Sequence, residues 1–353
     1  MLEGNPQSKI FKSIHQIQEI QDALSPINSG ECSQTRSPHI SGPYRGLLPR
    51  ANSQAERRFL HFVYAGLHFQ YQALPFGLSS APKVFIKLLS VVAAHLRARP
   101  IQIFCYLDDI LLLYRSRIQA LRDLQDTLQV LEEVEFSISP EKSHFVPTPR
   151  LVHLGALIDS SQGKIFLSQE CQSSLRELAK EVQRRQRVPL LQLSQLLGKM
   201  ISCFSIIPWA QLHSRCLQWF LLPFQKTSSS CSLVKVSLTP EILLFLDWWI
   251  SPAIAQGSLL RDPPRLVVTM DASLTGWGPH LEDQAAQGLW SDSNLSHSMN
   301  WLELRAIHLA LLYFQTSLQN SHVLVRMDNT MAKAHVNHQG GQEPFLSWSL
   351  LFV

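Results

Sequence analysis

The chain has 353 residues, of which 45% are hydrophobic and 16% charged, and its 31 Lys and Arg against 27 Asp and Glu give a formal net charge of +4. This length allows two or three domains with cores of their own, and the hydrophobic share excludes an intrinsically disordered chain. The small positive charge permits a polyanionic partner without requiring one.

The six cysteines form no Cys-x-x-Cys pair, which argues against a zinc site and a disulfide framework and predicts reduced thiols. The N-terminus lacks the apolar core of a signal peptide. Acidic residues such as Asp108 and Asp247 interrupt the apolar runs, so no transmembrane helix is predicted. We therefore expect an intracellular protein, cytoplasmic or nuclear, that is neither secreted nor bound to a membrane.

A short amphipathic helix is predicted near the N-terminus, where Ile10, Ile14 and Ile17 recur at helical spacing. Ser, Pro and Gly crowd residues 25–54, where large apolar side chains are sparse, so this stretch is expected to be irregular or disordered. Together they define a degenerate or disordered N-terminal segment, residues 1–56.

Strand-like patterns follow. Residues 59–64 and 69–71 are rich in aromatic and apolar side chains and flank a turn at Gly66, which predicts two strands. A loop, Leu74-Pro75-Phe76-Gly77-Leu78-Ser79-Ser80-Ala81-Pro82, leads into a helix that a serine caps and whose first turn holds Pro82. The expected buried face of that helix consists of Val84, Phe85, Leu88, Leu89 and Val92.

Two adjacent carboxylates, Asp108 and Asp109, interrupt the apolar run of residues 101–114. Buried charges need a partner or a metal, and the aliphatic and aromatic flanks favour two short strands joined at this pair. A hairpin with acids at its tip can hold divalent cations against a phosphate, because hard cations take oxygen ligands. For the pair alone, a tight turn is the favoured explanation.

The middle of the chain reads as mainly helical. A helix is predicted over 117–134, a strand pair over 151–159, two or three helices over 168–222, and another helix near 240–250. The basic run from Lys180 to Arg187 is typical of a solvated helix face, although it also suits a polyanion. Residues 223–238 are interpreted as a linker.

A second set of acids lies near the C-terminus. Asp271 ends a predicted strand, Asp328 ends another, and Glu303 lies in the first turn of a helix predicted over 301–314, on the same stripe as Ile307. Each acid alone is explained by a strand-terminating turn or by the helix dipole. In this order the three carboxylates predict one site of the kind that a two-metal phosphodiester hydrolase requires.

Taken together, these motifs resemble the reverse transcriptase–ribonuclease H region of retrotransposons, most closely the tyrosine-recombinase (DIRS-like) group, over residues 57–341. Tyr106-Leu107-Asp108-Asp109 resembles the polymerase metal-binding motif. The loop that contains Phe76 and Gly77 resembles the palm motif that contacts template and nucleotide. Lys142 corresponds to a lysine near the triphosphate, and Leu154-Gly155 to the primer grip.

The C-terminal motifs extend the resemblance. Residues 190–203 are similar to the thumb, whereas Asp271, Glu303 and Asp328 match the ribonuclease H carboxylate positions, together with Asn337-His338-Gln339-Gly340-Gly341. The fold implied is α+β and α/β, a right-hand polymerase palm and thumb with incomplete fingers, followed by a ribonuclease H-like mixed-sheet domain. Its implied segments are fingers and palm (57–160), helical thumb (161–222), connection (223–264) and ribonuclease H-like domain (265–353).

The resemblance also implies the chemistry. The catalytic and metal-binding residues would be Asp108 and Asp109 in the palm and Asp271, Glu303 and Asp328 in the ribonuclease H site, each site using two Mg²⁺ ions, with Mn²⁺ as an alternative. Template-primer and nucleotide contacts would come from Phe76, Gly77, Tyr106, Lys142 and Gly155. The implied partners are an RNA template, a DNA primer, RNA–DNA hybrids and dNTPs, recognised through backbone shape and the 2′-hydroxyl.

One element of the palm pattern is missing. The family supplies a third carboxylate on a strand upstream of Arg57, in a motif of the form Asp-Leu-x-x-Ala-x-x-His-x-x-Ile, and this chain has none there. One allowed codon string for residues 41–52, read one base later, encodes Gln-Asp-Leu-Thr-Glu-Ala-Phe-Phe-His-Val-Pro. We hypothesise that a small frame shift removed the acid, which predicts severely impaired polymerisation, and sequencing of the gene tests this.

The C-terminal domain is also expected to be truncated, because residues 343–353 no longer resemble the family and a fourth carboxylate is absent. Three readings therefore remain: an enzyme of retroelement origin, a catalytically inactive relic that at most binds nucleic acid, and a host protein that reuses the domain as a scaffold. The five retained acids favour recent decay over long reuse.

Overall fold

The computed structural model describes residues 37–41, 59–71, 78–225, 234–261 and 263–340. The predicted helix near Ile10 and the site residues Phe76 and Gly77 lie outside these ranges. The chain divides into two compact units, Met1–Ser168 and Gln169–Val353. Among the described residues, no helix combines the length and apolar character that crossing a bilayer requires.

The first unit is built on an antiparallel sheet backed by two helices. Its strands are β1 (Ser37–Ser41), β2 (His61–Tyr64), β3 (Leu67–Gln70), β4 (Gln102–Tyr106), β5 (Asp109–Leu113), β6 (His144–Thr148), β7 (Arg150–His153), β8 (Ala156–Asp159) and β9 (Lys164–Leu167). Its helices are α1 (Ala81–Arg97) and α2 (Arg117–Glu133), and a 3₁₀ turn spans Pro140–Lys142.

The central sheet of this unit has the strand order β4-β5-β1-β6. Residues 110–113 of β5 are all buried. Ile110 and Leu112 belong to the core that the sheet shares with the apolar stripes of α1 and α2. A strand buried on both faces reads as a continuous apolar run, as β5 does. The predicted hairpin at the Asp pair is therefore confirmed.

Several expectations for this unit need correction. The irregular structure expected over 25–54 is wrong for Ser37–Ser41, which form β1 between β5 and β6. Ladder hydrogen bonds from two neighbours override the weak strand propensity of Ser and Pro. Strand β9 pairs with β8 and lies beyond residue 160, where the palm is expected to end; that boundary stays a prediction. Ser80 begins α1 as expected, although its side chain makes no capping hydrogen bond.

The second unit begins with helices and ends with a mixed sheet. Its helices are α3 (Gln169–Arg184), α4 (Leu190–Ile201), α5 (Arg215–Gln225), α6 (Pro240–Ile250), α7 (Asp292–Leu295), α8 (Met299–Tyr313), α9 (Gln315–Leu318) and α10 (Thr330–Asn337), with 3₁₀ turns at Leu212–Ser214 and Pro252–Ala255. Its strands are β10 (Val188–Pro189), β11 (Lys235–Val236), β12 (Ser258–Leu259), β13 (Arg265–Ala272), β14 (Gly276–Leu281), β15 (Gln284–Ala285), β16 (Gly288–Leu289) and β17 (His322–Arg326).

The predicted helices of this unit are confirmed, whereas the linker expected over 223–238 is wrong at both ends. Helix α5 continues to Gln225, and β11 pairs with β10. The C-terminal sheet has the order β15-β14-β13-β17, with β16 beside β14. Strand β17 runs parallel to β13, and α8 packs on the sheet through a buried apolar face.

Candidate active site

Three acidic residues converge at one edge of the C-terminal sheet. Asp271 lies at the end of β13, and Asp328 follows β17 by two residues. Because these strands are parallel, with Thr269 paired to Arg326, their carboxyl ends meet at the same edge. Helix α8 packs against β13 and contributes Glu303. The predicted convergence of these acids is therefore what the structure contains.

The three carboxylates are close enough to share a cation. One oxygen from each of Asp271, Glu303 and Asp328 lies within 4.8 Å of the others. The Glu303 side chain is buried, with 2% of the residue exposed, whereas both aspartates are exposed. The cluster consequently has one buried carboxylate, that of Glu303, and two that face solvent.

The electrostatics of this cluster are those of a candidate cation site. Oε2 of Glu303 is buried and has no hydrogen-bond partner among the described residues. Burial raises the pKa of Glu303, and the charges of Asp328 and Asp271 raise it further. A buried oxygen without a donor, facing two like charges, is costly unless a cation compensates it. Carboxylate oxygens are the ligands that Mg²⁺ prefers, so this donor set fits the metal implied by the sequence.

Two asparagines link α8, which carries Glu303, to the start of α10, which follows Asp328. The Asn329 side chain caps α10 by accepting hydrogen bonds from the backbone N–H groups of Met331 at 3.0 Å and Ala332 at 2.9 Å. Its Nδ2 donates to Oδ1 of Asn300 at 3.0 Å, which ties the start of α10 to α8. Asn300 was not among the predicted site residues, because nothing local distinguishes it from any exposed helix residue.

The position of Glu303 differs slightly from the prediction. Helix α8 starts at Met299, where Ser298 accepts a hydrogen bond from the Trp301 N–H, two residues before the expected start. Glu303 therefore lies in the second turn, where its backbone N–H is no longer one of the free groups of the helix end. Stabilisation by the helix dipole explains its position less well as a result.

The first unit presents a second acidic group on the β4–β5 hairpin. Tyr106 pairs with Asp109 across a two-residue turn formed by Leu107 and Asp108. Leu107 has a φ of 53°, a conformation that L-residues other than glycine seldom adopt. Asp108 is exposed at the tip, whereas Asp109 is half-buried on β5. This strained turn holds the two carboxylates side by side.

The hairpin carboxylate of Asp109 has a shifted pKa. Burial raises its pKa to about 6, the charge of Asp108 acts in the same direction, and the positive charge of Lys142 opposes both. Lys142 ends the 3₁₀ turn that leads into β6. The structure therefore brings Asp108, Asp109 and Lys142 into one electrostatic group.

The remaining predicted site residues lie in other positions. Tyr106 is the last residue of β4. Gly155 and Leu154 form the two-residue turn between β7 and β8, with φ values of 80° and 51°. Positive φ at both positions is typical of a type I′ hairpin turn, which favours glycine at the second position. Their contacts with template, primer or nucleotide stay predictions.

Comparisons with known proteins agree with this geometry. Residues 44–161 match the family model described as reverse transcriptase (RNA-dependent DNA polymerase). The Tf2-3 and Tf2-4 transposon polyproteins of Schizosaccharomyces pombe (strain 972 / ATCC 24843) are each 30% identical over 77 residues, which is 22% of this chain. The matching segment spans only 6% of each polyprotein.

Solved structures give the same result for the fold. A foamy viral protease-reverse transcriptase dRH in complex with double-stranded DNA aligns with 85% of this chain and 51% of its own, at a TM-score of 0.55 and 17% identity. A foamy viral protease-reverse transcriptase in complex with an RNA/DNA hybrid aligns with 90% of this chain and 42% of its own, at 0.54 and 17%. The chain therefore has the fold of these reverse transcriptase structures, and residues 44–161 are similar to the reverse transcriptase family.

Proposed function

We propose that the C-terminal sheet is a ribonuclease H-like domain that cleaves the RNA strand of RNA–DNA hybrids. The observation that carries this proposal is the cluster of Asp271, Glu303 and Asp328. Its buried Glu303 oxygen has no donor within the described ranges and faces two exposed carboxylates. The hybrid bound in one of the foamy viral structures supports the choice of substrate.

The three acids would hold Mg²⁺, which supplies charge neutralisation at a phosphodiester and a water of lowered pKa. Glu303 supplies the buried carboxylate of the site, where a low local dielectric strengthens every charge interaction. Asp271 and Asp328 leave the solvent side open, where a phosphate backbone has access. Asn300 and Asn329 keep the two helices in register around this opening.

The first unit is proposed to descend from an RNA-directed DNA polymerase, most closely of the DIRS-like group. Asp108 and Asp109 would bind Mg²⁺, and Lys142 would neutralise a nucleotide phosphate. The neighbouring strand β1 has the sequence Ser-Pro-His-Ile-Ser and supplies no carboxylate. A cation shared between β1 and the hairpin would lack one ligand, so polymerisation by this chain should be severely impaired.

The same observation favours a second candidate function. A relic that has lost polymerisation would still bind template-primer or hybrid through its fold, with an affinity that falls steeply with salt. Hybrid binding without Mg²⁺-dependent cleavage distinguishes this candidate from the ribonuclease.

The test is a cleavage assay in which the full chain is incubated with a hybrid of 5′-labelled RNA annealed to DNA. Mg²⁺-dependent RNA cleavage that Asp271→Asn abolishes supports the ribonuclease. Asp283→Asn is the matched control, because Asp283 is an exposed acid in the turn between β14 and β15. Asp108→Asn should leave hybrid cleavage unchanged, and equal cleavage by wild type and Asp271→Asn would contradict the proposal.

A further inference from the structure

Arg215, the first residue of α5, is a cation without an acidic partner among the residues that the structure describes. Its Nη1 donates to Oε1 of Gln218 at 2.9 Å, and its Nη2 donates to the carbonyl of His338. Its Nε is buried and finds no acceptor in the described part of the chain. Burial lowers the pKa of Arg215. Within the described residues, the side-chain ion pairs join other residues. The charge of Arg215 therefore requires another source of compensation.

That compensation comes from the end of α10. His338 is the C-cap of this helix, and helix carbonyl ends carry a partial negative charge that cations stabilise. His335, in the last turn, has its pKa lowered first by burial and then by the charge of Arg215, so both side chains share this environment. Arg215 acts as a capping cation that α5 supplies to α10.

A second link joins the same two places. Oε1 of Gln339 accepts a hydrogen bond from the Leu212 N–H at 3.0 Å, across the 3₁₀ turn that precedes α5. Gly340 is buried against the aliphatic stem of Arg215, where an added Cβ would lie 3.5 Å from Cγ. The segment 338–340 is therefore held by the backbone of the 3₁₀ turn at Leu212 and by the side chain of Arg215 in α5.

The opposite end of α10 lies at the carboxylate cluster. Asp328 is two residues before Thr330, where the helix begins, and Asn329 caps it. A helix of eight residues is about 12 Å long and behaves as a short rigid rod. A shift of its C-terminal end consequently moves Asp328 relative to Glu303 and Asp271.

We propose that Arg215 and Gln339 form a latch that seats α10 and thereby positions Asp328 in the cation site. Arg215 is a positioning residue, since it acts through the helix. The effect on cation binding rests on the function proposed above, whereas the seating of α10 is testable without it.

The first measurement is hydrogen exchange by mass spectrometry on the full chain. In Arg215→Met, amides of α10 should exchange on the order of tenfold faster, because the helix loses a charged hydrogen bond and its cap. Amides of β13 should be unchanged. Arg215→Lys should show a smaller increase, and Arg184→Met, which removes an exposed arginine of α3, should show none. Unchanged exchange in α10 of Arg215→Met would overturn the latch.

If Arg215→Met loosens the whole second unit, Gln339→Met decides the matter. It removes only the acceptor for Leu212, so a local increase in α10 exchange supports the latch and no increase overturns it.

The second measurement is calorimetric Mg²⁺ titration of the same variants. Severalfold weaker binding in Arg215→Met, partly rescued in Arg215→Lys, supports positioning of Asp328. If Arg215→Met keeps the wild-type Mg²⁺ affinity while its α10 amides exchange faster, Arg215 does not position Asp328. In that case Arg215 still seats α10.

Discussion

Ser41 and Asp109 are register partners on the neighbouring strands β1 and β5. This pairing places the end of β1 beside the carboxylate whose pKa is most clearly raised in the first unit. The shifted reading of residues 41–52 introduces an aspartate immediately after the position of Ser41. Among the described strands, β1 is the neighbour of β5 on the side away from β4, so the hypothesised loss directly follows, in sequence, a strand that pairs with the hairpin.

We expect the wild-type chain to extend a DNA primer on an RNA template at least on the order of a hundredfold more slowly than a repaired variant. In that variant, Gln-Asp-Leu-Thr-Glu-Ala-Phe-Phe-His-Val-Pro replaces residues 41–51. A missing metal ligand removes several kcal/mol of charge stabilisation in the transition state. Primer-extension gels with Mg²⁺ measure the difference, and the repaired variant carrying Asp109→Asn should fall back to the wild-type level. Equal extension by wild type and repaired chain would show that the third acid is dispensable.

Asp109 should make the metal-free protein less stable as pH rises. Its pKa in the folded chain is about 6 against an ordinary value of 3.8, so the folded state binds the proton more tightly than the unfolded state. The stabilisation is complete below about pH 4 and is lost as pH rises through about 6. The contribution of Asp159 to stability changes with pH in the opposite direction. Its burial raises its pKa, but hydrogen bonds from Ser161 and Gln162 outweigh burial and lower it.

The difference between wild type and Asp109→Asn isolates this contribution. Thermal unfolding in EDTA between pH 4 and pH 7 should show a melting temperature that falls more steeply for wild type than for the variant. Mg²⁺ at pH 7 should raise the melting temperature of wild type more than that of Asp109→Asn. Parallel pH curves for the two proteins would rule out a titration of Asp109 in this range.

The acidic sites could be predicted because each has a strong local signal. The carboxylates Asp108 and Asp109 interrupt an apolar run, and Asp271 and Asp328 follow two apolar strands, so chain geometry alone brings them to strand ends. The start of α8 was placed too late, because Ser298 caps it without a glutamate at the usual third position.

Long-range features could not be predicted in the same way. Strand β1 consists of weak strand formers and exists through pairing with β5 and β6. The Asn300–Asn329 hydrogen bond and the contact of Arg215 with His338 join residues far apart in sequence. Neither pairing leaves a periodic or compositional trace, since each depends on how complete elements pack.

Two glycines of the second unit should respond to alanine in opposite directions. A Cβ at Gly276 would clash with the backbone carbonyl of Gly288 on the adjacent strand, so Gly276→Ala should lower the free energy of unfolding by about 2 kcal/mol or more. A Cβ at Gly198, inside α4, meets nothing within 4 Å, so Gly198→Ala should raise it by about 0.5–1 kcal/mol. Urea unfolding followed by circular dichroism checks both, and destabilisation by Gly198→Ala would contradict the open space around that residue.

Glu303→Gln should raise the free energy of unfolding and abolish the response to Mg²⁺. In the metal-free chain this change removes one of three mutually repelling carboxylates, and the new amide can donate to Asp271 or Asp328. We expect the free energy of unfolding to rise by about 1 kcal/mol. The variant should lose the increase in melting temperature that Mg²⁺ gives wild type, together with any hybrid cleavage. Glu177→Gln, an exposed change on α3, should alter neither property. A destabilised Glu303→Gln protein that still responds to Mg²⁺ would mean that Glu303 is a structural acid and that the cation is held elsewhere.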